Sequence, residues 1–317
     1  MNEIINDIIK KINKANDIAI YCHTNPDGDA LGSMLALYTA LKNKGKTVSA
    51  YCDTPVPQKY QCLYASEYIT FPQKRVHELA ISVDCSDLDR LGQCMKSYLS
   101  ARTQIAIDHH KSFARFADTC YVDGNAAACA QLIFKLLKSY KAIDKNIAQL
   151  LFSGIVTDSG CFAFSSVTQE THTIACELLE YGFDAADCIY KVFRSTSLNR
   201  FELKTRVLSK TRFFEDGQIA IIVFSKEDFD ATSTDTQDTE GIISELIDID
   251  TVKIAYALSE VGLRSYKLSI RTKDPLDAAD CANVFGGGGH KNAAGCRING
   301  YLEDIIEKLI KIACDRM

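Results

Sequence analysis

Two α/β domains, the first the larger, are the architecture that this sequence predicts, and three observations carry the prediction. The chain has 317 residues, more than a single hydrophobic core usually serves. Its first half alternates short aliphatic runs with segments of helical periodicity, the signature of a doubly wound, mostly parallel sheet covered on both faces. A second alternating series begins near residue 213, after a stretch that is helical without strands.

The elements follow in order. "MNEIINDIIKKINKAND" (1–17) places apolar and charged residues at helical spacing and lacks the apolar centre of a leader peptide. No later run approaches the ~20 apolar residues of a membrane helix, so no membrane association is expected. "IAIYC" (18–22) is the first strand, and the helix after it carries Leu31, Met34, Leu35, Tyr38 and Leu41 on one face. "TVSAY" (47–51), "LAISVD" (79–84) and "QIAID" (104–108) supply further strands, with helices through 126–140, 145–157 and 168–181. Residues 1–185 make the first domain. Residues 186–212 read as a helical linker, with Leu198, Phe201, Thr205 and Leu208 recurring on one face. The smaller α/β domain, 213–317, opens with "QIAIIVF" (218–224) and a polar tract, 225–240, read as a solvated connection. A helix near 238–248, strands at 252–258 and 266–271, a helix near 276–285, "GGGGH" (286–290) and a last amphipathic helix over 301–315 complete it.

Composition narrows the function. The formal net charge is −5, which argues against sequence-blind binding of long duplex nucleic acid. A small anionic ligand held by metals and a few local cations remains compatible with it. The 13 cysteines form no C-x-x-C pair, and most, such as Cys22, Cys129 and Cys176, sit in apolar runs. They read as reduced core thiols of a cytoplasmic protein, without the spacing of a zinc site. "KGKT" (44–47) imitates the end of a phosphate-binding loop, but Ala40 stands where the first glycine belongs. His77 and His172 read as solvated surface residues, and Tyr51, Tyr60 and Tyr64 as packing groups rather than base-stacking ones.

The chemistry gathers where strands of the first domain end. "HTNPDGDA" (23–30) follows the first strand with His23, Asp27 and Asp29; Asp84 ends "ISVD", and Asp108, His109 and His110 end "QIAID". Asp158, in "GIVTDSG", ends a helix. In an open α/β sheet the carboxyl ends of the strands form the ligand crevice. A lone aspartate there is most simply a helix cap. Four clusters on one edge repel each other unless protons or cations intervene. Two divalent cations resolve the conflict: the O/N donor set suits Mn²⁺, with Mg²⁺ or Co²⁺ as substitutes, and such a pair serves hydrolysis at phosphorus. Gly28 is expected to permit a tight turn.

The ordered set "HTNPDGDALGS" (23–33), "VDCSD" (83–87), "DHH" (108–110), "TDSG" (157–160) and "GGGGHKNAAG" (286–295) resembles the DHH/DHHA1 phosphoesterase superfamily. Within it the chain is most similar to the oligoribonucleases that also act on pAp. The resemblance implies an enzyme that degrades short oligoribonucleotides to mononucleotides and removes the 3′-phosphate of pAp, with an active-site cleft between the two domains. It implies His23 and Asp27 on one metal, Asp29, His109 and Asp158 on the other, and Asp84 bridging them. It places His110 at the scissile phosphate and Asp108 behind an imidazole. Arg271, His290 and the main chain of Gly286, Gly287, Gly288 and Gly289 are expected to bind substrate phosphate. Cys129 and Gln131 stand where many relatives have a hydroxyl residue and a glutamate, and Thr272 where they have serine, which bears on substrate preference.

A cyclic-dinucleotide or pApA phosphodiesterase of the same superfamily is the nearest alternative, and an inorganic pyrophosphatase or long-strand exonuclease a weaker one. A non-catalytic nucleotide sensor is the alternative from another class, disfavoured because no metal-ligand position is replaced. The sequence is compatible with a homodimer.

Overall fold

Short aliphatic runs become two separate sheets in the computed structural model of the protein, which describes residues 2–317 without the side chains of Asn2 and His290. The chain divides into two units, Met1–Ser195 and Thr196–Met317. The expected linker over 186–212 is therefore not a separate element. Its first part folds with the first unit, and Leu203 and Val207 join the core of the second.

In the first unit, α1 (Asn2–Lys14) precedes β1 (Asp17–Tyr21), α2 (Gly28–Asn43), β2 (Thr47–Tyr51), β3 (Ile69–Thr70) and β4 (Leu79–Val83). Then come α3 (Met95–Ser100), β5 (Gln104–Asp108), β6 (Thr119–Val122), α4 (Cys129–Ser139), α5 (Lys145–Asp158), α6 (Gln169–Leu179) and α7 (Ala185–Ile189). The strands pair in the order β3-β2-β1-β4-β5-β6, all parallel. Alternation decides the faces. Ile18, Ile20, Leu79, Ile81, Ile105 and Ile107 point to the side packed by α1, α2, α4 and α5. Ala19, Tyr21, Tyr51 and Ala80 point to a thinner layer with Leu91 and Tyr98. The chain builds outward from β1 to β3, then returns to lay β4 against the other side of β1. Loops leaving β1 and β4 thus part in opposite directions, and the crevice between them is where such sheets bind ligands.

In the second unit, α8 (Leu198–Leu208), β7 (Arg212–Phe214), β8 (Ile219–Phe224), α9 (Lys226–Thr232), α10 (Ile242–Ile247), β9 (Ile254–Gly262) and β10 (Ser265–Thr272) precede α11 (Ala278–Asn283), β11 (Gly288–His290), β12 (Ala293–Asn299) and α12 (Leu302–Cys314). The sheet order is β11-β12-β10-β9-β8-β7, with β8 and β9 parallel and the other pairs antiparallel. One face packs on α11 and α12, the other on α8, α9 and α10. The polar tract 225–240 is not merely a connection. Ser225 caps α9 through a reciprocal pair with Asp228, and Phe229 is buried against the Phe224 ring.

All 13 cysteines are free and eight are buried, but Cys176 is exposed. His77 is buried rather than solvated: its Nδ1 lies 3.1 Å from Asp17 Oδ1, and its ring packs beside Tyr51. His172 is exposed. Among the described residues no helix is long and apolar enough to cross a membrane.

Candidate metal centre

The loop leaving β1 turns directly into α2. Asp27 is the N-cap of that helix, its Oδ1 accepting from the N–H groups of Asp29 at 3.1 Å and Ala30 at 3.0 Å. Capping occupies one oxygen only, and Oδ2 lies 3.8 Å from His23 Nε2. The helix cap and the site residue are the same side chain. Gly28 does not serve the tight turn expected from sequence. It is the first residue of α2, and a Cβ there would stand 2.5 Å from the Thr157 side chain. Gly154 on α5 faces the same contact, where a Cβ would stand 2.8 Å from Asp29 Oδ1. Glycines therefore let α2 and α5 approach closely enough to bring Asp29 beside Asp158.

Asp29 is fully buried at the start of α4. It accepts from the N–H groups of Cys129 at 2.5 Å and Ala130 at 2.9 Å, where the positive end of a helix favours an anion. Burial, and next the charge of Asp84, nevertheless push its carboxyl up to about 7. Asp158 has the opposite setting. As the last residue of α5 it adds a carboxylate to the negative end of a helix dipole, which disfavours it without a nearby cation. Burial first and Asp29 next push its carboxyl well above the usual range.

Asp84 lies between these groups, one residue past β4, in a left-handed conformation with φ 54°. Its Oδ2 is 3.6 Å from His23 Nε2 and its Oδ1 is 3.4 Å from His109 Nε2. Burial opposes its charge, but His109 and His23 outweigh that and hold its carboxyl far below the ordinary range. Oδ1 is buried with no hydrogen-bond partner among the described residues.

Main-chain carbonyls orient both imidazoles. His23 Nδ1 donates to Thr24 O at 2.8 Å and His109 Nδ1 to Ala126 O at 3.1 Å, so each Nε2 faces the carboxylates. His109 Nε2 is 3.3 Å from Asp158 Oδ2 and 3.9 Å from Asp29 Oδ2. Burial works against protonation of both rings, yet the carboxylates raise His23 to about 10 and His109 to about 11. His110 Nδ1 donates to Asp108 Oδ1 at 2.8 Å and is 3.7 Å from Asp84 Oδ1; Asp108 is fully buried.

Three sets of ligand atoms result, each within 4.8 Å: His23, Asp27 and Asp84; Asp29, His109 and Asp158; Asp84, His109 and His110. The orphaned Asp84 oxygen, the mixed carboxylate and imidazole donors, and a carboxylate at a helix C-terminus all fit divalent cations. Sequence alone gave no sign of the backbone partners. Any residue offers an N–H or a C=O, so "AAAC" (126–129) carries no mark of the groups that fix Asp29 and His109.

The second unit holds the other expected residues. Arg271, on β10, is half-buried, with Nη1 donating to Ile270 O at 3.0 Å. Register pairs Arg271 with Ala293 and Ala293 with His290, and the His290 side chain lies outside the described residues. A Cβ at Gly287 would stand 2.4 Å from Gly295 O, and one at Gly289 2.5 Å from Ala293 O. Those two glycines serve the close β11–β12 pairing, whereas Gly286 turns with φ 72° and Gly288 faces open space. Of the departures noted above, Gln131 Oε1 accepts from Ala127 N–H at 2.8 Å and the Thr272 hydroxyl donates to Lys291 O at 3.0 Å.

The sequence matches two family profiles, "DHH family, N-terminal domain" over residues 17–155 and "DHHA1 domain" over residues 216–317. It is similar to the bifunctional oligoribonuclease and PAP phosphatase NrnA of Thermus thermophilus, 32% identical over 312 residues that span 96% of this chain and 92% of the relative. The Bacillus subtilis protein of the same name is 24% identical over 302 residues, 94% of each chain. Among solved structures, an exopolyphosphatase-related protein from Bacteroides fragilis superimposes with a TM-score of 0.92 at 26% identity, covering 98% of this chain and 96% of that one.

Proposed function

The chain belongs to the DHH family, with a C-terminal DHHA1 domain, and from that membership we propose a metal-dependent phosphoesterase that cleaves short oligoribonucleotides to mononucleotides and removes the 3′-phosphate of pAp. The activities for which the Thermus and Bacillus relatives are named support the substrate assignment. The observation that carries the reading is Asp84, whose two oxygens face separate imidazoles, His23 and His109.

In this reading His23 and Asp27 hold one cation, Asp29, His109 and Asp158 a second, and Asp84 both. The O/N donors favour Mn²⁺, with Mg²⁺ or Co²⁺ substituting. When bound, such a pair activates water and neutralises charge at phosphorus. The protein's own groups supply orientation. Asp108 holds the Nδ1 proton of His110 and fixes the ring beside Asp84, so that His110 meets the scissile phosphate and its leaving oxygen. Arg271, Gly286, Gly287, Gly288, Gly289 and His290 are assigned to substrate phosphate. The net charge of −5 fits small substrates better than long duplexes, and 13 free thiols fit the reducing cytoplasm.

Hydrolysis of pAp, a five-nucleotide RNA, pApA and cyclic di-AMP, assayed after chelation and after Mn²⁺ add-back, tests the proposal. Activity should vanish on chelation and return on pAp and the short RNA. Full activity in excess EDTA would overturn the metal reading. Cleavage of cyclic di-AMP with none of pAp would establish the cyclic-dinucleotide alternative instead.

A further inference from the structure

Immediately after Asp158 the backbone takes an unusual course. Gly160, Cys161 and Phe162 are consecutive left-handed residues, with φ of 58°, 55° and 68°. Glycine adopts this region freely, but each residue with a Cβ is disfavoured there, and a bulky aromatic is rare. Such strain persists only where surrounding contacts over-determine it. Here they do. Cys161 N–H donates to Val156 O at 2.7 Å, Phe162 N–H to the buried Ser159 hydroxyl at 3.0 Å, and Ala163 and Phe164 N–H both to Ser159 O at 3.0 Å.

The turn sends its two aromatics in different directions. Phe162 packs inward, beside Phe152 and stacked on His172 with ring centroids 5.3 Å apart. Phe164 stays 57% exposed, its ring resting on Gly160 so closely that a Cβ there would stand 2.5 Å from Cε1. A chain reversal alone needs neither the strain nor an exposed ring seated on a glycine two residues from Asp158. The other exposed aromatic rings of this unit, Tyr64, Tyr68, Phe71, Tyr181, Tyr190 and Phe193, lie on segments that carry no residue of the candidate metal clusters.

We propose that Phe164 is a stacking platform for the nucleobase of the nucleotide whose phosphate lies at the metal centre, held there by the left-handed turn. Aromatic faces bind any base by stacking, without reading sequence, which suits an enzyme that degrades short strands of any composition. The proposal rests on the function assigned above and narrows its ligand to phosphates that carry a base.

The protein contains no tryptophan, so Phe164→Trp places a single fluorescent reporter on the proposed platform. Its emission should quench on titration with AMP and hold steady with ribose 5-phosphate. In the hydrolysis assay Phe164→Ala should lose about five- to hundredfold in kcat/KM on pAp, chiefly through KM. It should change less than about twofold on ribose 3,5-bisphosphate, while Mn²⁺ binding stays at the wild-type level. Equal losses on both substrates, or Trp emission blind to AMP, would overturn the platform. Quenching by AMP in a protein that hydrolyses nothing would leave the base site standing and remove the assigned reaction.

Discussion

At the scale of single residues, the candidate centre is a cluster whose ligand atoms hold protons that the proposed cations would displace. His23 near 10, His109 near 11 and Asp29 near 7 all bind protons around neutrality, because five carboxylates otherwise crowd one crevice edge. A divalent cation must displace those protons, so loading releases them. The sign follows: lowering pH adds protons that compete with metal, and affinity rises with pH until the imidazoles lose their protons unaided near 10–11. Calorimetric Mn²⁺ titration at pH 7, in two buffers of different ionisation enthalpy, should show release of at least one proton per chain. A binding heat independent of buffer would contradict this charge assignment. These residues were legible in the sequence because carboxylates and imidazoles stand out where strands end. The left-handed Asp84 and the carbonyls of Thr24 and Ala126 were not, since backbone groups have no residue signature.

At the scale of elements, the site depends on how closely two helices approach. Gly28→Ala would ordinarily favour a helix by about 0.5–1 kcal/mol. Here the new Cβ would stand 2.5 Å from Thr157 Cγ2 and 2.8 Å from its Cβ, too close to the stem of a β-branched side chain for rotation to relieve. The substitution should lower the melting temperature and weaken Mn²⁺ binding, because Asp29 and Asp158 move apart with the helices. Adding Thr157→Ala removes Cγ2 and Oγ1, the two nearest obstructing atoms, but leaves the Cβ at 2.8 Å, and should recover part of both losses, a coupling read from the double-mutant cycle. Losses that simply add would mean that Gly28 acts through its own backbone. Sequence reading found most helices and most of the strands of five residues or more from periodicity. It missed α9 although Ser225 and Asp228 have capping-box spacing, because the tract is polar and the helix short. It missed β12 because "AAGCRIN" lacks alternating bulk; that strand exists through its partners β10 and β11.

At the scale of the whole molecule, each unit has its own hydrophobic layers on both faces of its own sheet, and every residue of the metal clusters belongs to the first. Length and alternation announced two such units, but the boundary at Ser195–Thr196 was not readable. Leu203 and Val207 have the same helical spacing whether they bridge two domains or cap one, and only their burial in the second core decides. Each cation that binds the folded first unit stabilises it by mass action, by about 2.7 kcal/mol at a hundredfold excess over its Kd. For a unit of this size that corresponds to roughly 5–10 °C. Calorimetric unfolding of the full chain should therefore resolve two transitions, of which saturating Mn²⁺ raises one by that amount for each bound cation and leaves the other in place. Arg271→Ala, in the second core's sheet, should not alter the metal-induced shift. A single transition that moves as a whole would show that the two cores unfold together, and that the energy of metal binding is shared across the chain rather than confined to the sheet that carries Asp84.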